Sequence, residues 1–347
     1  MTKNKQIPNS KKKSSIWSLI IAYGLFLVSY LLFISPVFAQ QINLSISPPH
    51  LEVVIKPGKS ILVAYTVQNL GDPVVIIPKV LPFVPKDNQG NITIQEDFEG
   101  PIRFALDNAD LQLDKPFFLK SQAAQQLLLR MRIPDGAPEW DYYYTFFVET
   151  QPFPGTEGVT SSQAQARIGS NILATVTQTG VFNVKGRVAF FDVIPRFKLG
   201  KNINIFDSSD QIPIVLILEN NGKNLFKPEG NIVLSGIFGE KAKYDILPQN
   251  ILAGSQRVVL ASPSAQLNCD LPKNNQEVKL CQNPLSLLLS GFFAGRYTLS
   301  AEINFGDNSP TNFFASTSFI GLPFKFLLGL LVVIIAAVIL VRRLQKD

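Results

Sequence analysis

From residue 296 to 305 the chain reads RYTLSAEINF, and polar and apolar side chains alternate almost without a break. Tyr297, Leu299, Ala301, Ile303 and Phe305 fall on one face, and Arg296, Thr298, Ser300, Glu302 and Asn304 on the other. A period of two is that of a β-strand with one buried and one wet side. Similar runs cover 61–67, 126–133, 142–149, 171–177, 212–218 and 231–238, with Pro and Gly between them. No long stretch between the two ends of the chain sustains a helical period. The middle is therefore predicted to be all-β.

Both ends break this pattern. Residues 326–341 (FLLGLLVVIIAAVILV) carry no charge and run into Arg342-Arg343. With 322–324 and a snorkelling Lys325, the segment reaches the length of about 20 residues that spans a hydrocarbon core. We expect a transmembrane helix over 321–341 and a short cytoplasmic tail, 342–347, which places everything before it on the exported side. At the other end Lys3, Lys5 and Lys11 to Lys13 precede an apolar run over 16–38 that closes on Val37-Phe38-Ala39. This predicts a signal peptide over 1–39 and a mature chain starting at Gln40; the alternative is an uncleaved N-terminal anchor.

Three landmarks recur along the exported region at nearly constant spacing. An apolar strand ends in proline at 44–48 and again at 190–195. A strand ends in a turn at Asn69-Leu70-Gly71 and again at Asn220-Asn221-Gly222. A late aromatic strand starts near Tyr142 and again near Tyr297. We therefore expect two tandem immunoglobulin-like β-sandwich domains, 40–187 and 188–320, on the strength of strand number and turn spacing. The two Asn-x-Gly turns are expected to use the positive φ that Asn and Gly tolerate. Tyr142 and Tyr144 share a face with Phe146 and Val148 and should be core, whereas Tyr143 should face out.

The net charge of +6 and pI near 9.2 would ordinarily suggest nucleic acid. Here the five N-terminal lysines and the basic residues flanking the C-terminal span account for all of the excess, so residues 40–321 are slightly acidic and the nucleic-acid reading falls away. Cys269 and Cys281 lie close together in an exported polar stretch and are expected to form a disulfide. In the chain-entropy picture so short a loop contributes about 3 kcal/mol. Two thiols with no histidine or second pair nearby make a poor metal site.

Candidate chemistry is sparse. His50 is the single histidine, and the chain has no GxSxG, HExxH, P-loop or dinucleotide fingerprint, so no enzyme and no cofactor is expected. The stretches 86–91 (KDNQGN) and 306–310 (GDNSP) lack the alternating carboxylates of a calcium loop and read as hairpin turns. Asp107, Asp110 and Asp114 read as a solvated acidic surface. The Pro-, Gly- and Ser-rich stretch 151–166 holds Phe153 as its only aromatic and reads as a long hairpin loop. Tyr143 and Phe153 are the candidate partner-binding residues.

In 220–307, Asn220, Gly222, Asn224, Pro228, Gly230 and Ile232, then 251–255 (ILAGS) with Arg257, then Gly295-Arg296-Tyr297 and Phe305-Gly306-Asp307, resemble a membrane-proximal β-sandwich module of bacterial surface proteins. Ala253 stands where that module usually has proline. The layout of signal, two sandwiches, anchor and basic tail is similar to that of the WxL-interacting proteins of Gram-positive surfaces. In the first half this rests on Pro57-Gly58, the Asn69 turn, the Tyr142 strand and Arg167-Ile168-Gly169. The resemblance implies a cell-surface binding or scaffold protein that contacts cell-wall polymer or a partner surface protein. Alternatives are a structural subunit of an envelope complex and a wall-modifying enzyme. The proline-bounded first strand also resembles that of periplasmic pilus chaperones. Those are soluble, but their lending of a strand edge suggests one way for this ectodomain to bind.

Overall fold

The computed structural model describes residues 23–24, 41–151, 165–195, 197–200, 203–262, 284–306 and 312–345. Apart from residues 23–24, the expected signal peptide lies outside the described residues, as do Cys269, Cys281, Phe153 and most of its loop. The chain forms two β-sandwiches, each with one side of every sheet turned into its own apolar core.

In the first, β1 (Leu44–Ser47), β3 (Ser60–Asn69), β6 (Arg103–Leu106) and β8 (Ala124–Arg132) make a sheet in the order β1-β3-β8-β6. The facing sheet runs β2-β10-β9-β4-β5, from β2 (His50–Ile55), β4 (Val74–Pro85), β5 (Ile92–Ile94), β9 (Asp141–Gln151) and β10 (Arg167–Val176), with β7 (Phe117–Leu119) also on β4. Between the sheets Tyr65 and Phe146 meet with ring centroids 4.7 Å apart, and Tyr144 packs edge-on to Phe104. Each such buried side chain contributes about 2 kcal/mol by transfer from water.

In the second sandwich one sheet is built on β11 (Gly186–Val193) and β14 (Ile212–Asn220), with β17 (Gln256–Val258) and β19 (Leu287–Leu289) paired to β14. The other runs β12-β13-β21-β20-β15-β16-β18, from β12 (Phe197–Leu199), β13 (Ile203–Asp207), β15 (Glu229–Gly236), β16 (Lys241–Ile246), β18 (Ala261–Ser262), β20 (Gly295–Asn304) and β21 (Asn312–Leu322). The expected repeat reappears as topology. In each sandwich the opening strand lies on one sheet, breaks at a proline, and the chain then runs parallel to the last strand of the other: β2 beside β10 directly, and β13 beside β21 after the short hairpin strand β12.

The repeated Asn-x-Gly turns are built alike, but not by positive φ: neither Asn69 to Gly71 nor Asn220 to Gly222 adopts it. The asparagine side chain braces the turn instead. Asn69 Nδ2 donates to the carbonyls of Asp72 and Lys120, and Asn220 Nδ2 to those of Asn224 and Ile251, while each Oδ1 accepts from the glycine N–H. The glycines are needed for close approach. A Cβ on Gly71 would lie 2.1 Å from the Gln41 carbonyl oxygen, and one on Gly222 2.4 Å from that of Asn183.

β21 leads through Pro323 directly into α1 (Phe324–Leu344). The helix therefore starts at Phe324, later than the expected residue 321, because Leu322 is still held in the sheet opposite Asp207. The first turn of α1, whose N–H groups have no partner within the helix, is capped from outside: Asp207 Oδ2 accepts from the Lys325 N–H at 3.0 Å. Lys325 Nζ also reaches Asp207 and Asp210. Residues Phe324–Arg343 are long and apolar enough to cross a membrane, and the apolar stretch is not buried in the rest of the chain.

Candidate functional site

Where the sandwiches meet, β9, β10 and β2 of the first present their outward face to the second. Their register makes three rows: Asp141, Thr175 and Val54; Tyr143, Leu173 and Glu52; Thr145, Asn171 and His50. The period-two alternation that sends Tyr144 and Phe146 to the core sends this set outward. The second sandwich brings the segments 224–227 and 250–253 against it.

Asp141, only 4% exposed, is the centre of the contact. Its carboxylate accepts from Thr175 Oγ1 at 2.7 Å within the first sandwich, and from Asn224 Nδ2 at 2.8 Å and the Leu225 N–H at 2.5 Å in the second. Asn224 also ties in the connector: its Oδ1 accepts from the Asn183 N–H at 2.7 Å, and its carbonyl takes the Asn220 side chain. A single hydrogen-bonded chain thus runs from Asp141 through Asn224 to Asn220, the turn residue of the repeat.

Tyr143 does point out of its own sandwich, but onto the second one. Its ring stacks on Phe83 with centroids 5.7 Å apart; its hydroxyl donates to Asp141 Oδ2 at 3.1 Å and accepts from the Ala253 N–H at 2.9 Å. Burial pushes the phenol well above its ordinary range, and the neighbouring Asp141 carboxylate adds to this. The hydroxyl assigned from sequence to an external partner is engaged within the chain. The 86–91 turn also serves the interface: it closes the β4–β5 hairpin, and the Val258 N–H donates to its Asn88 carbonyl at 2.7 Å. Asp107 is paired with Arg130. Among the described residues no group of His, Cys, Asp and Glu is arranged to hold a metal ion.

At the margin, Glu52 receives Lys227 Nζ at 2.7 Å, Asn250 Nδ2 at 2.5 Å and lies 2.9 Å from His50 Nε2. Partial burial pushes the Glu52 carboxyl up, but the hydrogen bonds from Lys227, Asn250 and His50 outweigh it and bring it down to about 2. A carboxyl lowered from its ordinary 4.5 to about 2 stabilises the docked state above pH 4.5 and loses that contribution as the pH falls toward 2. In urea titrations of the full chain, the parent midpoint is expected to fall across this window more steeply than that of Glu52→Gln. Parallel curves would show that Glu52 does not couple the domains.

Beside β2 the two sandwiches leave a cleft of about 470 Å³. Val53, Val54, Val184, Phe226 and Phe305 supply an apolar wall, and Glu52, Lys227 and Glu229 its polar rim. β2 ends its sheet, so among the described residues its outer edge has no strand partner. Sequence reasoning missed this cleft and the Asp141 network. The one local signal was an acidic residue on the same strand face as the outward Tyr143.

No protein-family model and no curated protein matches the chain. Among solved structures it is similar to the class 5 fimbriae chaperone CfaA (12% identity, TM-score 0.37, 79% of this chain and 99% of that one). It is also similar to the Escherichia coli chaperone DraB (14%, TM-score 0.34, 80% and 98%) and to a chain of the Salmonella enterica SafA pilin in complex with the SafB chaperone (10%, TM-score 0.34, 80% and 98%). At these values the likeness is one of β-sandwich architecture and carries nothing about what the chain binds.

Proposed function

We propose that the chain is a single-pass envelope protein whose two locked sandwiches form a non-catalytic binding surface for a partner protein on the exported side of the membrane. α1 and the basic Arg342-Arg343 that follow its apolar run support the anchor and its orientation. The order of signal, sandwiches, anchor and tail, similar to that of WxL-interacting proteins, fits the same placement. The observation that carries the binding reading is the apolar cleft beside the unpaired edge of β2. An extended segment of a partner would add its backbone to that edge and place alternate side chains against Val54, Val184 and Phe226. An apolar wall of valines and phenylalanines suits the side chains of a peptide better than a wall polysaccharide, which asks for many polar groups. The non-catalytic reading is supported by His50, which faces a carboxylate already taken by Lys227 and Asn250.

The test is a photo-crosslinking side chain at Val54 in the membrane-embedded full chain, with the equally exposed Leu62 on the opposite sheet as control. One protein cross-linked from 54 and not from 62, and lost when Val184→Glu charges the wall, is the expected result. Retention of the chain by purified wall polymer, unchanged in Val54→Glu and without a protein cross-link, would overturn the reading.

A further inference from the structure

Large apolar side chains stand exposed around the point where α1 leaves the second sandwich. The β15–β16 turn carries Ile237 and Phe238, with Phe238 75% exposed, and the loop before β20 carries Phe292, 70% exposed. Both belong to the helix end of the domain. Gly295, beside which Ile237 and Phe238 pack, is paired with Gly321, and the Phe293 carbonyl lies against Gly321 as well. Phe197, on β12, lines a groove of about 480 Å³ with Asp207, Asp210, Phe324 and Lys325. Three separate loops or strands thus bring exposed apolar groups to one level, the start of α1.

Several polar groups at this end are engaged within the chain. Glu240 accepts from the Phe238 N–H at 3.0 Å and from the Tyr297 hydroxyl at 3.1 Å, and Lys325 is neutralised by Asp207 and Asp210. The turn is held at its base by the Gly236 N–H on the Glu240 carbonyl, at 2.9 Å. Its two apolar side chains project from it. Neither Ile237 nor Phe238 belongs to the buried core of the sandwich.

We propose that this end of the second sandwich is seated in the lipid interface of the bilayer that α1 crosses, with Phe197, Ile237, Phe238 and Phe292 among the headgroups and first acyl carbons. Lipid is the occupant that the geometry favours, because Phe197 shares a groove with Phe324 at the start of the exposed apolar α1, and Phe238 and Phe292 stand at the same end of the sandwich. Aromatic side chains at the membrane–water boundary anchor a span at a fixed depth. Together with the Pro323 junction and the Asp207 cap, the four apolar side chains would hold the sandwich in one orientation, with the interdomain cleft the length of β20 away, about 30 Å. The inference rests on the membrane reading of α1.

The experiment uses the full chain with both native tryptophans replaced, Trp17→Phe and Trp140→Phe, so that each variant carries a single indole. It is reconstituted in vesicles of phosphatidylcholine brominated either near the headgroup or deep in the acyl chain. Phe238→Trp and Phe292→Trp are compared with Val181→Trp, in the connector at the far end of the same sandwich. Vesicle flotation is recorded for every variant. The expected result is flotation of all three, with the emission from positions 238 and 292 shifted to the blue and mostly lost to shallow bromines, and that from position 181 unchanged. Flotation with neither shift nor quenching overturns the interfacial seat and leaves the membrane reading standing. A blue shift without quenching means that another protein surface covers these side chains, and also overturns it. Failure to float removes both.

Discussion

Asp141→Ala is expected to cost about 3 to 4 kcal/mol and to split one unfolding transition into two. The carboxylate is buried, and its removal strands the Asn224 amide and the Leu225 N–H of the second sandwich as well as the Thr175 hydroxyl of the first. Each buried donor left without an acceptor costs about 1 to 3 kcal/mol, and water entering the enlarged space recovers part of that. Two of the four donors belong to the other sandwich, and a third, the Tyr143 hydroxyl, is itself held by the Ala253 N–H of that sandwich, so the loss falls chiefly on docking and not on either core. Two domains that lose their coupling unfold separately. Asp141→Asn is the sharper variant. It keeps the volume and one acceptor oxygen but turns an N–H₂ toward groups that are themselves donors, so about half the loss should remain. Urea denaturation followed in parallel by near-ultraviolet signal and by proteolysis of the 177–185 connector would show this. A single transition, moved by less than about 1 kcal/mol, would mean that the network does not couple the domains.

Much of the fold was legible because it rests on period-two alternation. β20 was visible residue by residue: Tyr297, Leu299, Ala301 and Ile303 are all buried, with polar groups between them. β4 was not visible, although it is the longest strand among the described residues. Its sequence VVIIPKVLPFVP carries three prolines, and proline argues against a central strand. The structure resolves this through the edge each proline faces. The carbonyls of Pro78 and Pro82 point away from β9 and accept from the Asp114 and Gln95 N–H groups, so their ring nitrogens lie where β4, between β5 and β7, has no strand to bond. A proline whose missing N–H faces a gap costs the ladder nothing.

The interface was less legible for a different reason. Alternation tells which side of a strand faces its own core, and it placed Tyr143 on the other side correctly. It says nothing of what lies beyond. Whether an outward face meets water, a partner or a second domain depends on contacts between residues far apart in sequence, such as Glu52 with Lys227 and Tyr143 with Ala253. The asparagine turns show the same limit. Their recurrence was readable, but the backbone reason assigned to them was wrong, because a buried amide reaching two carbonyls across a loop leaves no local pattern.

Those turns supply the second large effect. Asn69 and Asn220 are both fully buried, and each satisfies backbone carbonyls and one glycine N–H. Alanine at either position leaves buried backbone groups unpaired and a small cavity, and is expected to cost about 3 kcal/mol. The two losses should nevertheless differ in kind. Asn69 Nδ2 ends on carbonyls of its own sandwich, so Asn69→Ala should lower the stability of the first domain and leave its coupling to the second intact. Asn220 Nδ2 holds the carbonyl of Asn224, whose own amide is the donor to Asp141. Asn220→Ala should therefore weaken its domain and loosen the interface together. A double-mutant cycle separates these outcomes. Asn69→Ala and Asp141→Ala share no hydrogen-bond partner and should add within about 0.5 kcal/mol, whereas Asn220→Ala and Asp141→Ala should fall short of additivity by about 1 kcal/mol or more. Equal additivity in both pairs would mean that the path through Asn224 carries no coupling, and that the two turns brace their own sandwiches alone.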